Sequence, residues 1–472
     1  MHVLSPHFDH VAIRFRAGLG GAEKRAVART CRLAPYRAGH DLPGESFALV
    51  PLESAPGPAH RRHAEAVERL AAHRHVVRVA AVARHGRSLV IATDRIWVGL
   101  CAGARGKAVV AGLRRRGCRL VERRGADHLI RLPAAADPHR EIARLQRLAA
   151  VEYAEPDHVL VGPPSAVKTG GRIQAALRAV RAPAAWKLQP IGPDTVVAVL
   201  DNGVLASHPD LRGAVTSAFD ATRRGSARRP SPWDSHGTEC AGLVGATGRA
   251  ARGIRGMAAG CAIAAVRIGY TPSRLADYVT KVSWTVAGID WAWQHGAAVL
   301  SMSFGGGPAA TPVVRALRRA RTQGRGGRGC VLVAAVGNSG VGTVEFPASS
   351  AGVVGVAAVG SSGRRAPFSN WGSQVALAAP GVNVATTTIP DPSDGEPSLY
   401  FADSGTSLST PLVAGAAALV LAAAPKLTER AVRGLLAATA SGRGRRVAKL
   451  GAGVIDAAAA VRRAQELAGA ER

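Results

Sequence analysis

The chain has 472 residues, 47% of them hydrophobic but only 4% aromatic, and a formal net charge of +29. That length implies two or three domains, with a core filled by Ala, Val and Leu rather than by rings. The charge suggests a polyanion partner. Yet the arginines are spread along the chain, runs such as Arg114-Arg115-Arg116 lack interleaved aromatic residues, and no nucleic-acid motif accompanies them, so a solvated surface is expected and no specific nucleic acid.

The six cysteines, at 31, 101, 118, 240, 261 and 330, show neither a C-x-x-C pair nor His at metal spacing. That argues against a zinc site and against a disulfide framework, and buried thiols are expected. Met1 to His10 carry no basic segment followed by an apolar one, so no signal peptide is expected. The longest apolar run, around 411–424, is too short for a membrane span and reads as a core helix.

Residues 1–87 read as a mixed α/β extension of unknown role. Val11–Phe15, Phe47–Val50 and Val76–Val82 have strand patterns, and His60–His73 has helical spacing. From 88 the order becomes regular. Ser88–Ala92 and Arg95–Leu100 read as strands and Lys107–Arg116 as a helix. Arg119–Val121 and Asp127–Leu132 form a strand pair, Pro138–Ala149 a helix and Val151–Pro156 a last strand. This β-α-β-β-α-β order predicts a ferredoxin-like α+β unit over 88–160. A Pro- and Gly-rich linker, 161–182, reads as exposed and cleavable.

Beyond it, apolar runs recur at Val196–Leu200, Ala262–Ile268, Ala297–Ser301, Val331–Val336 and Val353–Val359. Between them lie helical stretches, Tyr278–Gln294 and Pro312–Thr322. Near-continuous apolar strands alternating with helices predict a mainly parallel sheet flanked by helices on both faces, a three-layer α/β domain over 183–466.

In such a sheet, chemistry sits at the carboxyl ends of the strands. Val196–Leu200 ends at Asp201-Asn202-Gly203, where the acid is either a turn former or catalytic. His236-Gly237-Thr238 opens a small-residue helix. Val331–Val336 ends at Gly337-Asn338. Gly405-Thr406-Ser407 leads into a helix that is apolar all round and so buried, and there Ser407 is a cap or a nucleophile. Each residue alone has an ordinary structural reading. Together an Asp, a His and a Ser at element ends can converge into an orienter, a base and a nucleophile, with an amide donating to an oxyanion.

The order Asp201, His236, Ser407, with Ala335-Val336-Gly337-Asn338, Gly405-Thr406-Ser407 followed by Pro411, Ser369-Asn370-Trp371-Gly372 and Ala379-Pro380-Gly381, resembles the subtilisin-like serine proteases over roughly 180–465. The resemblance implies a serine endopeptidase acting on polypeptides, with Ser407 as nucleophile, His236 as general base and acid, Asp201 as its orienter and Asn338 in the oxyanion hole. It implies that Ser303-Phe304-Gly305 pairs with an extended substrate. It aligns Glu345 with the floor of the pocket for the residue before the cleaved bond, where a carboxylate favours Lys or Arg. The alternative reading there is a solvated loop glutamate.

The resemblance also makes 88–160 similar to the family's inhibitory propeptide, hence a zymogen whose own propeptide is an intramolecular partner. The alternatives are a permanent accessory domain and, for the whole chain, a catalytically silent binding protein that kept the fold. Cys240, one turn after His236, is expected beneath the imidazole as a buried, inert thiol. Asp210 matches a calcium ligand of the family, but Gly248–Ile254 brings two arginines and no side-chain oxygen, so no cofactor is expected at that position. The family is usually secreted; this N-terminus points to the cytoplasm or to unconventional export.

Overall fold

A computed structural model describes residues 4–470 apart from 43–46, 55–57, 86–87, 135, 163–173, 224, 226–228, 251–252, 274–276 and 392–397. The heart of the expected cleavable linker, 163–173, therefore lies outside the described residues.

The extension forms a sheet of its own from His10–Phe15, Asp41–Leu42, Phe47–Pro51 and Val76–Ala80, packed on the helix Ala59–Ala71. Next come β1 (Val82–His85), β2 (Ser88–Leu100), α1 (Ala104–Arg115), β3 (Arg119–Arg124), β4 (Asp127–Arg131), α2 (Pro138–Leu145) and β5 (Val151–Gly162). The two strands expected at 88–92 and 95–100 are one 13-residue strand. It pairs antiparallel with β1, β4 and β5. β1 and β2 are neighbours in the sheet, so the boundary expected at 87 falls between two paired strands. The last strand, expected to stop at Pro156, runs six residues further, to Gly162.

The second region is built on seven parallel strands: β6 (Val196–Asp201), β7 (Val215–Asp220), β8 (Ala262–Arg267), β10 (Val299–Met302), β11 (Val331–Ala335), β12 (Val353–Val359) and β13 (Val375–Pro380). Their spatial order is β7-β8-β6-β10-β11-β12-β13. Alternate side chains face opposite cores, as the strand pleat dictates. Val197 and Val199 join α3 (His236–Gly245) and α6 (Thr406–Ala423) on one face. Ala198 and Leu200 join α4 (Val282–Gln294) and α5 (Thr311–Gln323) on the other. Burial on both faces is why these strands read as unbroken apolar runs. Helix α6 is long and apolar enough to cross a membrane by length and composition, but 89% of that stretch is buried inside the protein.

A further expectation needs correction. Tyr278–Gln294 is not a single helix: its first four residues are strand β9 (Tyr278–Lys281), and α4 follows. The cause is non-local. β9 pairs antiparallel with β5, Val159 opposite Lys281 and Gly162 opposite Tyr278, so the two regions share one sheet. The strand also carries acids onto helix ends. Asp157 accepts the N–H and the hydroxyl of Ser283 at 2.9 Å each, in the first turn of α4. Glu155 accepts the N–H of Thr311 at 3.0 Å, at the start of α5. Both carboxylates satisfy donors that a helix start leaves open, at its positive end.

Candidate active site

Four strand or helix ends meet in one cleft. β6 delivers Asp201, α3 opens on His236, the turn after β11 carries Asn338, and α6 opens on Thr406-Ser407; all line the same pocket. The sheet sets this convergence: β6 lies between β8 and β10, and the chain runs from it out to β7, back through β8 and then across to β10, a switch point where the carboxyl-end loops diverge and leave a crevice.

His236 Nδ1 lies 2.9 Å from both carboxylate oxygens of Asp201. Asp201 is 3% exposed. Glycine next to the histidine has a local reason. A Cβ at Gly237 would collide with the carbonyl of Gly203 and come within 3.0 Å of Asp201 Cβ. The Gly237 N–H instead donates to Asn202 Oδ1 at 2.8 Å, and Thr238 Oγ accepts from Leu205 N at 2.9 Å. These bonds fix the start of α3 against the end of β6.

Asn338 Oδ1 accepts the N–H and the hydroxyl of Thr406, at 2.9 and 2.8 Å. Its amide nitrogen is thereby left as donor on the Ser407 side; a Cβ at Gly405 would lie 2.8 Å from Ser407 Oγ and 3.5 Å from Asn338 Nδ2. Ser407 is 2% exposed. Ser407 Oγ and His236 Nε2 are both buried without a hydrogen-bond partner; the structure brings the two residues into one cleft and does not bond them to each other. Burial pulls the imidazole's affinity for a proton down, but the Asp201 charge and hydrogen bond, with smaller help from Glu239 and Asp403, push it up to about 9.

Cys240 is fully buried beneath this site, its Sγ 3.6 Å from the carbonyl oxygen of Ser407. Burial holds its thiol well above the ordinary range, so it stays protonated and unreactive. The same carbonyl accepts Ser303 Oγ at 2.8 Å. Ser303, Phe304 and Gly305 follow β10 along one wall of the cleft. Glu345 faces them, and a Cβ at Gly305 would lie 2.9 Å from its carboxylate. Gly337, at φ +104, has room for no side chain because the same carboxylate fills that space. Asn370 Nδ2 lies 3.4 Å from Glu345 Oε1.

Asp210 is buried elsewhere in the fold. Its carboxylate accepts Ala250 N at 3.0 Å, Ile254 N at 2.9 Å and Tyr400 O–H at 3.0 Å. Donors thus surround it where a calcium ion would need further oxygen ligands, so the described residues here do not fit the ion. Sequence reasoning passed over two groups. One is the pair Glu155 and Asp157, whose role needs contacts more than 120 residues away. The other is Glu239, a carboxylate one turn from His236 in an otherwise small and apolar helix; its charge in that setting was the available signal.

The model of the Subtilase family matches residues 192–454, more than half of the chain. Subtilisin E of Bacillus subtilis (strain 168) is 32% identical over 312 residues, 65% of this chain and 75% of that protein. Thermitase of Thermoactinomyces vulgaris is 34% identical over 243 residues, 51% of this chain and 79% of that protein. A thermostable alkaline protease of Halalkalibacterium halodurans is 36% identical over 247 residues, 52% of this chain and 62% of that protein. With the loops at the carboxyl ends of its strands arranged as described and its sequence alike over that span, the chain belongs to the subtilase family and is a serine endopeptidase.

Proposed function

We propose that peptide hydrolysis runs through Asp201, His236 and Ser407, and that the chain is made as a self-inhibited zymogen. The observation that carries the first part is the pair of buried, partnerless atoms, Ser407 Oγ and His236 Nε2, in one cleft. Buried polar atoms are ordinarily bonded; orphans facing a cleft suit groups whose partners arrive with a substrate. Ser407 Oγ attacks the scissile carbonyl and its proton passes to Nε2. Asp201 holds Nδ1–H and offsets the imidazolium charge. The carbonyl oxygen, now negative, takes hydrogen bonds from Asn338 Nδ2 and the Ser407 N–H. The C–N bond breaks as Nε2 gives its proton to the leaving amine. Water then repeats the sequence on the acyl-enzyme, and Ser407 is restored.

Substrate lies extended between Ser303-Phe304-Gly305 and β9, adding a strand by backbone hydrogen bonds. Glu345 selects a cationic side chain before the scissile bond. For the zymogen, support comes from β5, whose Val159–Gly162 already pairs with β9 and whose Leu160 and Gly162 line the cleft. Residues 88–162 thus occupy the edge a substrate would use, and cutting in the linker before the core-packed helices that begin at Ala175 releases it. We propose that no cofactor takes part.

A fluorophosphonate probe tests the reading. The processed chain should be labelled, and Ser407→Ala should abolish labelling. A folded, processed protein that takes no label, or equal labelling of the variant, would make the chain a silent binding protein or move the nucleophile elsewhere.

A further inference from the structure

Glu239 is the buried acid of the cleft that the reaction described above does not use. It lies on α3, three residues after His236, and is 3% exposed. Oε1 accepts the hydroxyl of Thr388 at 3.2 Å. Oε2 is buried and has no hydrogen-bond partner. The residue lines the same cleft as His236 and Ser407. Its backbone is clamped: the carbonyl of Glu239 accepts Thr386 Oγ at 2.6 Å, and that of Thr238 accepts Thr387 Oγ at 2.7 Å. These threonines close β14 (Val384–Thr387). A buried carboxylate with one oxygen unsatisfied is costly. A side chain used only to fill space here would be served better by an apolar residue.

The titratable groups around it come from every neighbouring element. His236 and Cys240 share α3 with it, Asp201 ends β6, and Asp403 ends β15 (Tyr400–Asp403). Burial raises the Glu239 carboxyl to about 7; the His236 charge draws it down and Asp403 raises it. The imidazole is the one cation in this group, so the carboxylate has a partner of opposite sign only while His236 is protonated. The two therefore titrate as a pair.

We propose that Glu239 is a positioning residue that acts through His236: its carboxylate is a second negative charge on the imidazolium, and it sets the lowest pH at which the base is free to accept the Ser407 proton. No proton moves through Glu239 in the reaction. The inference rests on the triad reading. The direction follows from the sign of the charge. A nearby anion favours protonated His236, and protonated His236 cannot act as base. Ionised Glu239 therefore pushes the onset of activity upward in pH, and neutralising it should bring the onset down.

The test is the pH dependence of the second-order rate of fluorophosphonate labelling, on the full chain allowed to process itself. In Glu239→Gln the midpoint of the rising limb should fall by about one pH unit, the low end of what one adjacent charge does. Glu239→Asp keeps the charge and should keep the midpoint near that of the parent. Thr388→Val leaves Glu239 in place but removes a donor to its charged form, and should move the midpoint the same way by less. It serves if Glu239→Gln does not accumulate folded. A purely structural glutamate predicts lost yield or a lowered melting temperature with an unmoved limb, and that result overturns the proposal, as does an upward shift. Labelling that survives Ser407→Ala would fail the triad reading. An unmoved limb in a protein whose labelling does depend on Ser407 would fail only the assignment of Glu239.

Discussion

The two regions of this molecule are held by different physics. Inside the peptidase domain, the parallel sheet is buried on both faces, and its strands contribute alternate Val, Ala and Leu side chains to two apolar cores. Between that domain and the 88–162 region, the contact is mixed. Trp97 and Leu129 do join an apolar core of the peptidase domain. Val279 of β9 also packs with Val159, Val161 and Ile91 in a further apolar cluster. Polar links add to these: a four-residue backbone ladder, Asp157 and Glu155 on two helix starts, and ion pairs from Arg315 to Asp127 and Glu152 and from Arg124 to Asp290. Apolar burial makes a domain that stays folded. The polar contacts are ones that water and a competing peptide can replace, which suits the proposed release of 88–162, since a hydrogen bond exchanged for another gives only about 0.5–1.5 kcal/mol net.

Three measurements would break or sharpen this contrast. The largest effect belongs to the cleft itself. Glu345→Gln should lower the preference for Arg over Phe before the scissile bond by about ten- to a hundredfold, the range of a charged hydrogen bond at 1.5–3 kcal/mol. The measurement is kcat/KM on a pair of matched peptides, and an unchanged ratio would return Glu345 to a loop residue. The middle effect belongs to the cover. Removing both helix-end acids in Glu155→Ala/Asp157→Ala should weaken inhibition by the separate 88–162 segment roughly thirtyfold, from about 1 kcal/mol per cap. An undiminished inhibition constant would show that the ladder and the apolar contacts suffice. The smallest effect belongs to Asp210. Chelation of calcium should leave melting unshifted through this position, because its carboxylate is already filled by Ala250, Ile254 and Tyr400. Loss of a calcium-induced shift in Asp210→Asn would contradict that.

Much of the peptidase domain was legible because its determinants are local. Val196–Leu200 reads as a buried strand, Asp201 marks its end, and the apolar run after Ser407 announces a buried helix. The cleft residues Asp201, His236, Asn338 and Ser407 stood at such ends. Tyr278–Lys281 was not legible as a strand. Its apolar spacing runs on into α4, and what makes it extended is a partner 116 to 122 residues earlier at Gly162–Val159. The same holds for Ser88–Leu100, where two short patterns hid one strand whose polar middle, Thr93 and Asp94, is buried by neighbours distant in sequence. Glu239 was visible as an oddity, but only the placement of Thr388 and Asp403 gives it a setting.

If substrate takes the place of β5 as proposed, the shortness of β9 limits the enzyme. It has four residues, about 13 Å of strand at roughly 3.3 Å each. Were β5 released as proposed, this would be a bare sheet edge, open to any chain that can straighten over that distance. Such a template measures a visitor's freedom to unfold locally before it measures the side chains. On the proposed reading, a loop or terminus that can surrender four residues would be admitted, while the same residues in a packed helix would be refused whatever their identity. Short edges are also the kind that avoid sticking to copies of themselves.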